Sequence, residues 1–483
     1  MNTEIRNLEP KALWNNFANL NAVPRASKKE ERVIDFMVAF GEKLGLETIV
    51  DTVGNVIIKK PATKGMENRK TIVMQSHLDM VHQKNNDTNF DFETQGIEMY
   101  VDNGWVKAKG TTLGADNGLG VATIMSILEA NDIPHPAIEA LFTIDEETGM
   151  TGAMGLEVGY LNGEILLNLD TEDDDEIGVG CAGGIDITAT KSYATEKTPK
   201  NNSAYRITVK GLQGGHSGMD IHKDFGNANK MMNRILYALK EVLSIAKIDG
   251  GSLRNAIPRE SHAIVTTKDI KIFEDEFYAI AKDIINEYSA IEEELEIDLE
   301  ECILPESVLS KKDTETLLRA IYTTHNGVFR MSPDIDGLVE TSNNIARVLV
   351  LDGEIRILCL TRSSVESGKM DLAYNISSGF ELAGFKVKLS GSYPGWKPNP
   401  NSPILKVLDA TYQTLFNEKP NVLACHAGLE CGILGTNYPE MDMISFGPTI
   451  KGAHSPDERA NVISAQKFWK YVLQILKDIP VKE

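Results

Sequence analysis

The sequence predicts an α/β fold: a mostly parallel sheet flanked by helices, interrupted by an inserted α+β domain. Three observations lead there. From residue 71 onward, short apolar runs alternate with segments of helical periodicity, the pattern of parallel strands joined by crossover helices. Carboxylates and imidazoles follow the ends of these runs, where open α/β sheets carry their sites. Asp170 and His454 follow two such runs, yet a long, differently patterned stretch separates them. A chain of 483 residues holds two or three domains. The division is 1–186 and 399–483, two segments of one sheet domain, around an insert at 187–398.

The elements follow in order. Ser27-Lys28-Lys29-Glu30 matches a capping box, and Val33, Phe36, Met37 and Phe40 continue it at helical spacing up to Gly45. Val53-Gly54-Asn55 is a turn signal between two short strands. Residues 71–74 read as a buried strand, 118–130 as a helix, and 138–144 and 164–169 as two more buried strands. After Asp186 the character changes. A strand at 205–209 leads into the glycine-rich loop 211–219, and an amphipathic helix spans 228–243. A second cycle of similar order occupies 310–390, with an apolar stretch at 345–351, a strand at 355–360 and a helix at 371–382, but no repeat of fixed period. The proline-rich crossing Pro394-Gly395-Trp396-Lys397-Pro398-Asn399-Pro400 returns the chain to the sheet domain. There 441–446 is a buried strand, with His454 in the loop after it.

Composition narrows the function classes. Hydrophobic residues are 42% and charged residues 25%, an ordinary soluble composition. The net charge of −21 repels phosphate backbones and anionic lipid, which argues against nucleic acid and membrane as partners. Met1-Asn2-Thr3-Glu4-Ile5-Arg6 lacks the basic stretch and apolar core of a signal peptide. No run approaches the roughly 18 apolar residues of a membrane span. Five cysteines, at 181, 302, 359, 425 and 431, form no C-x-x-C pair and fit a reduced, cytoplasmic protein.

Chemistry gathers in one ordered set. His77 and Asp79 form a His-x-Asp triplet ending an apolar run; Asp116 opens a helix; Glu146-Glu147 and Asp170 each follow a strand; His454 comes near the C-terminus. Singly, each has a plain reading: a satisfied polar pair, a solvated acidic dipeptide. Repeated at the strand ends of one sheet, they are able to bind two divalent metals and leave one acid for proton transfer. Mixed imidazole and carboxylate ligands suit zinc and equally cobalt or manganese.

His77-Leu78-Asp79, Gly114-Ala115-Asp116-Asn117-Gly118, Asp145-Glu146-Glu147-Thr148-Gly149, Gly214-Gly215-His216-Ser217-Gly218 and Gly452-Ala453-His454-Ser455 resemble the di-zinc metallopeptidase family of aminoacylases, carboxypeptidases and dipeptidases. The likeness covers nearly the whole chain. Asn168-Leu169-Asp170-Thr171-Glu172 and Gly178-Val179-Gly180-Cys181-Ala182-Gly183-Gly184 are most similar to its aminoacyl-histidine dipeptidase branch. The resemblance implies that Asp116 bridges two metals, that His77 and Asp170 complete one site, and that Glu147 and His454 complete the other. It implies Glu146 as general base, Asp79 as the acceptor of the second ring N–H of His77, and a cis peptide at Asp116-Asn117. The sheet domain would be catalytic and the insert a lid. In that lid His216, Asn255 and Arg362 would bind substrate, Arg362 by clamping a carboxylate through both oxygens. The residues alone leave His216 open to being a turn histidine and Arg362 an exposed strand-end arginine. With an insert this long, one chain would supply both, and any homodimer would be structural.

Gly178-Val179-Gly180-Cys181-Ala182-Gly183 matches G-x-G-x-x-G, but a strand-like segment follows it where a dinucleotide site needs a helix. His82, His135, His222, His262 and His325 read as surface or packing residues, and the acidic run 173–176 as a solvated face. His426 reads equally as a residue near the pocket or as one satisfying a helix start. The expected function is metal-dependent hydrolysis of unblocked dipeptides, Xaa-His foremost with broad tolerance, with a small peptide as partner. The alternatives are an amidohydrolase of N-acyl amino acids and a silent metal-binding scaffold, and the presence of Glu146 beside five ligand candidates argues against the second.

Overall fold

The computed structural model describes residues 2–482 and contains two compact units. The first comprises Met1–Gly180, Pro398–Ala424 and Leu429–Glu483; the second comprises Cys181–Lys397 and Cys425–Gly428.

The first unit is built on an eight-stranded sheet. Its order is Glu47–Val50, Val56–Lys60, Ile138–Thr143, Ile72–His77, Ile165–Asn168, Asp442–Ser445, Glu176–Cys181 and Asn421–Cys425. The four middle strands, from Ile138–Thr143 to Asp442–Ser445, are parallel, and antiparallel strands flank them. Three of the four are buried along their whole length, which is why they read as mostly apolar runs rather than alternating ones. The helix Ala115–Glu129 is buried on nearly every side. A β-carbon at Gly120 would lie 2.4 Å from Ser76 Oγ and 2.7 Å from the Leu169 carbonyl, so only glycine lets this helix press onto the sheet. Asp116 and Asn117 depart from helical angles, and the peptide between them is cis.

The capping box is overturned. The helix spans Glu31–Lys43, and neither Ser27 nor Glu30 caps it with a side chain. Ser27 Oγ donates instead to Asp79 Oδ2 at 2.8 Å, and Glu30 Oε1 accepts the N–H groups of Lys28 and Asp145 at 2.8 and 3.0 Å. Both side chains that the local motif would have used are engaged elsewhere, each with at least one partner distant in sequence.

The second unit carries a nine-stranded sheet. Two β-α-β-β-α-β cycles share it. One uses Ser203–Lys210, Ala228–Ala238, Ser244–Gly251, Ser261–Thr267, Ile270–Tyr288 and Glu296–Glu301. The other uses Gly183–Ser192, Lys311–Thr323, Val339–Leu351, Glu354–Ser363, Glu366–Leu382 and Lys386–Tyr393. They join where Ser244–Gly251 pairs with Val339–Leu351. The second cycle therefore begins at 183, before the first, rather than at 310. The helix predicted over 228–243 stops at Ala238. Leu239 and Leu243 stay buried, so packing of the following turn prolongs the apolar period beyond the helix itself. Among the described residues no helix is long and apolar enough to cross a membrane.

Candidate active site

Each middle strand of the first sheet delivers one part of a cluster. His77 ends its strand, Glu146 and Glu147 follow the next, Asp170 lies two residues past the third, and His454 lies in a turn after the fourth. Asp116 comes from the irregular first turn of Ala115–Glu129. His77 Nε2 lies 3.2 Å from Asp116 Oδ1 and 3.5 Å from Asp170 Oδ1. His454 Nε2 lies 3.1 Å from Asp116 Oδ2 and 2.9 Å from Glu147 Oε2. Asp116 thus turns one oxygen to each of two groups, His77–Asp116–Asp170 and Asp116–Glu147–His454, whose ligand atoms lie within 4.8 Å of one another. Glu147 Oε1 is buried with no hydrogen-bond partner. Two sets of one imidazole and two carboxylates, sharing a carboxylate and holding an orphaned oxygen, fit a pair of divalent cations.

The electrostatics agree with a charge-dense site. Burial pulls the His77 imidazole down, but its bonds to Asp116 and Asp170 outweigh this and hold it well above its ordinary range. Bonds to Asp116 and Glu147 raise His454 to about 11. Burial raises Glu147 and Asp170 above the ordinary carboxyl range. Burial also holds the Glu146 carboxyl well above its usual value, against the pull of His77, with Asp170 and Glu430 adding to the rise.

Asp79 lies behind His77, fully buried. Its Oδ1 is 3.3 Å from His77 Nδ1 and accepts the Glu146 N–H at 3.1 Å, while Oδ2 accepts the Glu147 N–H at 3.2 Å. One carboxylate therefore sets both the imidazole and the backbone of the two glutamates.

Sequence reasoning missed several supports. Glu458 accepts the backbone N–H groups of Leu113, Gly114, Ala115 and Asp116 at 2.7, 2.9, 2.7 and 3.2 Å. The buried Arg25 ties the carbonyls of Leu78 and Asp79 to that of Gly114. Buried Glu430 accepts from Gln75 Nε2 and Thr143 Oγ, each at 2.6 Å, and burial lifts it to about 8. Nothing local marks these residues; each acts through partners distant in sequence.

The second unit holds its own polar cluster. His216 and Arg362 come from the same chain, with Arg362 Nη2 3.4 Å from His216 Nε2. His216 Nδ1 accepts the N–H groups of Gly218 and Met219 at 3.3 and 3.1 Å, so in the neutral ring the hydrogen sits on Nε2. Burial and the Arg362 charge lower His216 to about 4, which keeps it neutral. Two donors then face each other. Arg362 is 4% exposed, has an unpartnered Nε, and among the described residues forms no ion pair with a carboxylate. Its Nη1 donates to Tyr393 Oη at 2.9 Å, another partner the sequence did not reveal. His426, left open from sequence, is buried in this cluster, with Nε2 2.7 Å from Ser342 Oγ; burial beside Arg362 lowers it to about 3. Asn255 is brought close through its backbone, its carbonyl accepting the Ser217 N–H, while the residue stays exposed. The sequence profile described as peptidase family M20/M25/M40 matches residues 73–478.

This chain belongs to that family. As a family member it is a peptidase, a hydrolase of peptide bonds. It is 43% identical to the cytosol non-specific dipeptidase of Escherichia coli (strain K12) over 99% of this chain and all of that protein. It is equally 43% identical to the aminoacylhistidine dipeptidase of Vibrio alginolyticus, whose crystal structure superposes with a TM-score of 0.92 over 100% of this chain and 99% of that one. The aminopeptidase PepT from Bacillus cereus shares the fold at 16% identity, with a TM-score of 0.58 over 98% of this chain and 99% of that one.

Proposed function

We propose that this chain hydrolyses the peptide bond of unblocked dipeptides, Xaa-His among them with broad tolerance. It would do so with two divalent metal ions, zinc first and cobalt or manganese as alternatives. The observation that carries the reading is Asp116, one oxygen on each of two imidazole–carboxylate groups, with the half-buried Glu146 beside them. His77 and Asp170 would hold one cation, Glu147 and His454 the other, with Asp116 between. When bound, the pair supplies Lewis acidity to the scissile carbonyl and makes hydroxide available near neutral pH.

The residues do the rest. Asp79 keeps the His77 hydrogen on Nδ1 and leaves Nε2 free to ligate. Glu146 accepts a proton on its carboxyl and returns it to the leaving amine, a task suited to a carboxyl whose proton affinity is raised by burial. In the second unit, His216 Nε2 and Arg362 Nη2 lie side by side as two donors, which supports recognition of the terminal carboxylate of a peptide. Asn255 belongs to the same substrate set. The names of the two relatives at 43% identity support dipeptides, Xaa-His substrates and a cytosolic setting. A homodimer is compatible with this reading, with both lid residues supplied by one chain.

The test is release of free amino acids from X-His, β-alanyl-His and N-acetylated compounds, by metal-loaded protein and by Glu146→Ala. Cleavage of unblocked dipeptides, falling by about 10²–10⁴-fold in the variant, is expected. Cleavage of the acetylated compounds alone would replace the dipeptidase reading with an acylase.

A further inference from the structure

Arg362, Gly184 and Tyr393 stand in one row across three adjacent strands: Arg362 pairs with Gly184 on one side, and Tyr393 pairs with Gly184 on the other. A β-carbon at Gly184 would lie 2.6 Å from the phenol oxygen and 2.7 Å from two ring carbons of Tyr393. The missing side chain is the slot in which the ring lies, and through it the hydroxyl reaches Arg362 Nη1 at 2.9 Å. Gly184 follows directly on the G-x-G-x-x-G stretch that no nucleotide site explains. Its neighbour Gly183 serves the same crossing, since a β-carbon there would lie 2.4 Å from the Gly395 nitrogen.

The backbone that carries the ring is also anchored. Lys369, fully buried, donates from Nζ to the Tyr393 carbonyl at 2.7 Å and to Ser392 Oγ at 3.1 Å, and pairs with Glu366 at 2.9 Å. A buried ammonium spent on the backbone of 392–393 anchors this strand end. Because the phenol oxygen accepts from Arg362, its own hydrogen is turned away from the guanidinium. Burial raises the Tyr393 phenol above its ordinary range, so that hydrogen stays in place at neutral pH.

We infer that Tyr393 is a specificity-determining residue whose O–H donates to the substrate's terminal carboxylate while its oxygen accepts from Arg362, and that Gly184 is glycine so that the ring lies within reach. This rests on the reading of Arg362 as the carboxylate clamp. An anion docked on Arg362 Nη2 and His216 Nε2 then gains a third donor. The arrangement selects a flat carboxylate over a carboxamide, whose NH₂ would face donors.

The test compares a dipeptide with the same dipeptide as its C-terminal amide, using metal-loaded wild type, Tyr393→Phe and Gly184→Ala. Wild type should prefer the free acid. Tyr393→Phe should raise KM for the free acid, lowering kcat/KM by roughly ten- to a hundredfold, as loss of a hydrogen bond to a charged group does. It should lower cleavage of the amide by a much smaller factor, since the amide gives up no charged acceptor, and so erase most of the preference. Gly184→Ala, by displacing the ring, should do the same. Tyr393→Phe with the wild-type preference would overturn the role of the tyrosine while leaving the clamp standing. An equal fall on both substrates would mark Tyr393 as merely structural and overturn it too. Wild type with no preference would overturn the clamp reading and this inference with it.

Discussion

Glu458→Gln should damage both metal groups at once without touching a ligand. The Glu458 carboxylate takes four backbone N–H groups, two on each oxygen, at the start of the helix that carries Asp116. Glutamine keeps one oxygen and turns an NH₂ toward the other pair. Two bonds are lost, and two buried donors face a third donor. At about 1–3 kcal/mol for each buried donor left unsatisfied, the cost is about 2–6 kcal/mol. Loss of a negative charge at a helix N-terminus works in the same direction. Burial raises Glu458 to about 6, so the comparison belongs at pH 8, where its carboxylate is ionised. Urea unfolding of metal-free wild type and variant gives the stability difference. Titration with zinc against a chromophoric chelator gives the two affinities, which should both fall because Asp116 is common to both groups. An unfolding free energy within about 0.5 kcal/mol of wild type, together with two unchanged affinities, would refute the reasoning.

Two further outcomes follow from neighbouring residues. Asp79→Asn should weaken metal binding by about 10–100-fold, because the His77 Nδ1–H loses an anionic acceptor; unchanged affinity in the chelator assay would count against Asp79 as the residue that orients His77. His426 is held neutral in the fold, at about 3 against an ordinary 6.5. Between those values the unfolded chain binds the extra proton, so its contribution is fully present above about pH 6.5 and is lost as pH falls. The slope is about 1.4 kcal/mol per pH unit. Melts of wild type and His426→Asn from pH 7 to pH 5 should differ in slope, and parallel curves would remove His426 as the cause.

Much of the sheet domain was legible because its strands obey a local rule. A parallel strand covered on both faces is apolar over most of its length, and the titratable residue at or just past its end stands out. His77, Glu146-Glu147 and Asp170 were each found this way. The capping box at Ser27–Glu30 was misleading for the opposite reason. Its residues are correct for a helix start, but the Ser27 side chain bonds to Asp79 and the Glu30 side chain to the N–H groups of Lys28 and Asp145 instead. Likewise the leucines at 239 and 243 extend a helical period that the backbone has already left.

The sequence by itself determined which residues are chemically able to act, and in what order the sheet presents them, since strand periodicity and ligand type are properties of short segments. Only the tertiary structure decided that Asp116 faces two histidines at once, that Glu458 and Arg25 hold its helix start, and that Tyr393 lies across Gly184 onto Arg362. Each of these joins elements far apart in the chain. Their geometry comes from the packing of strands and helices, and no local pattern in the sequence records it.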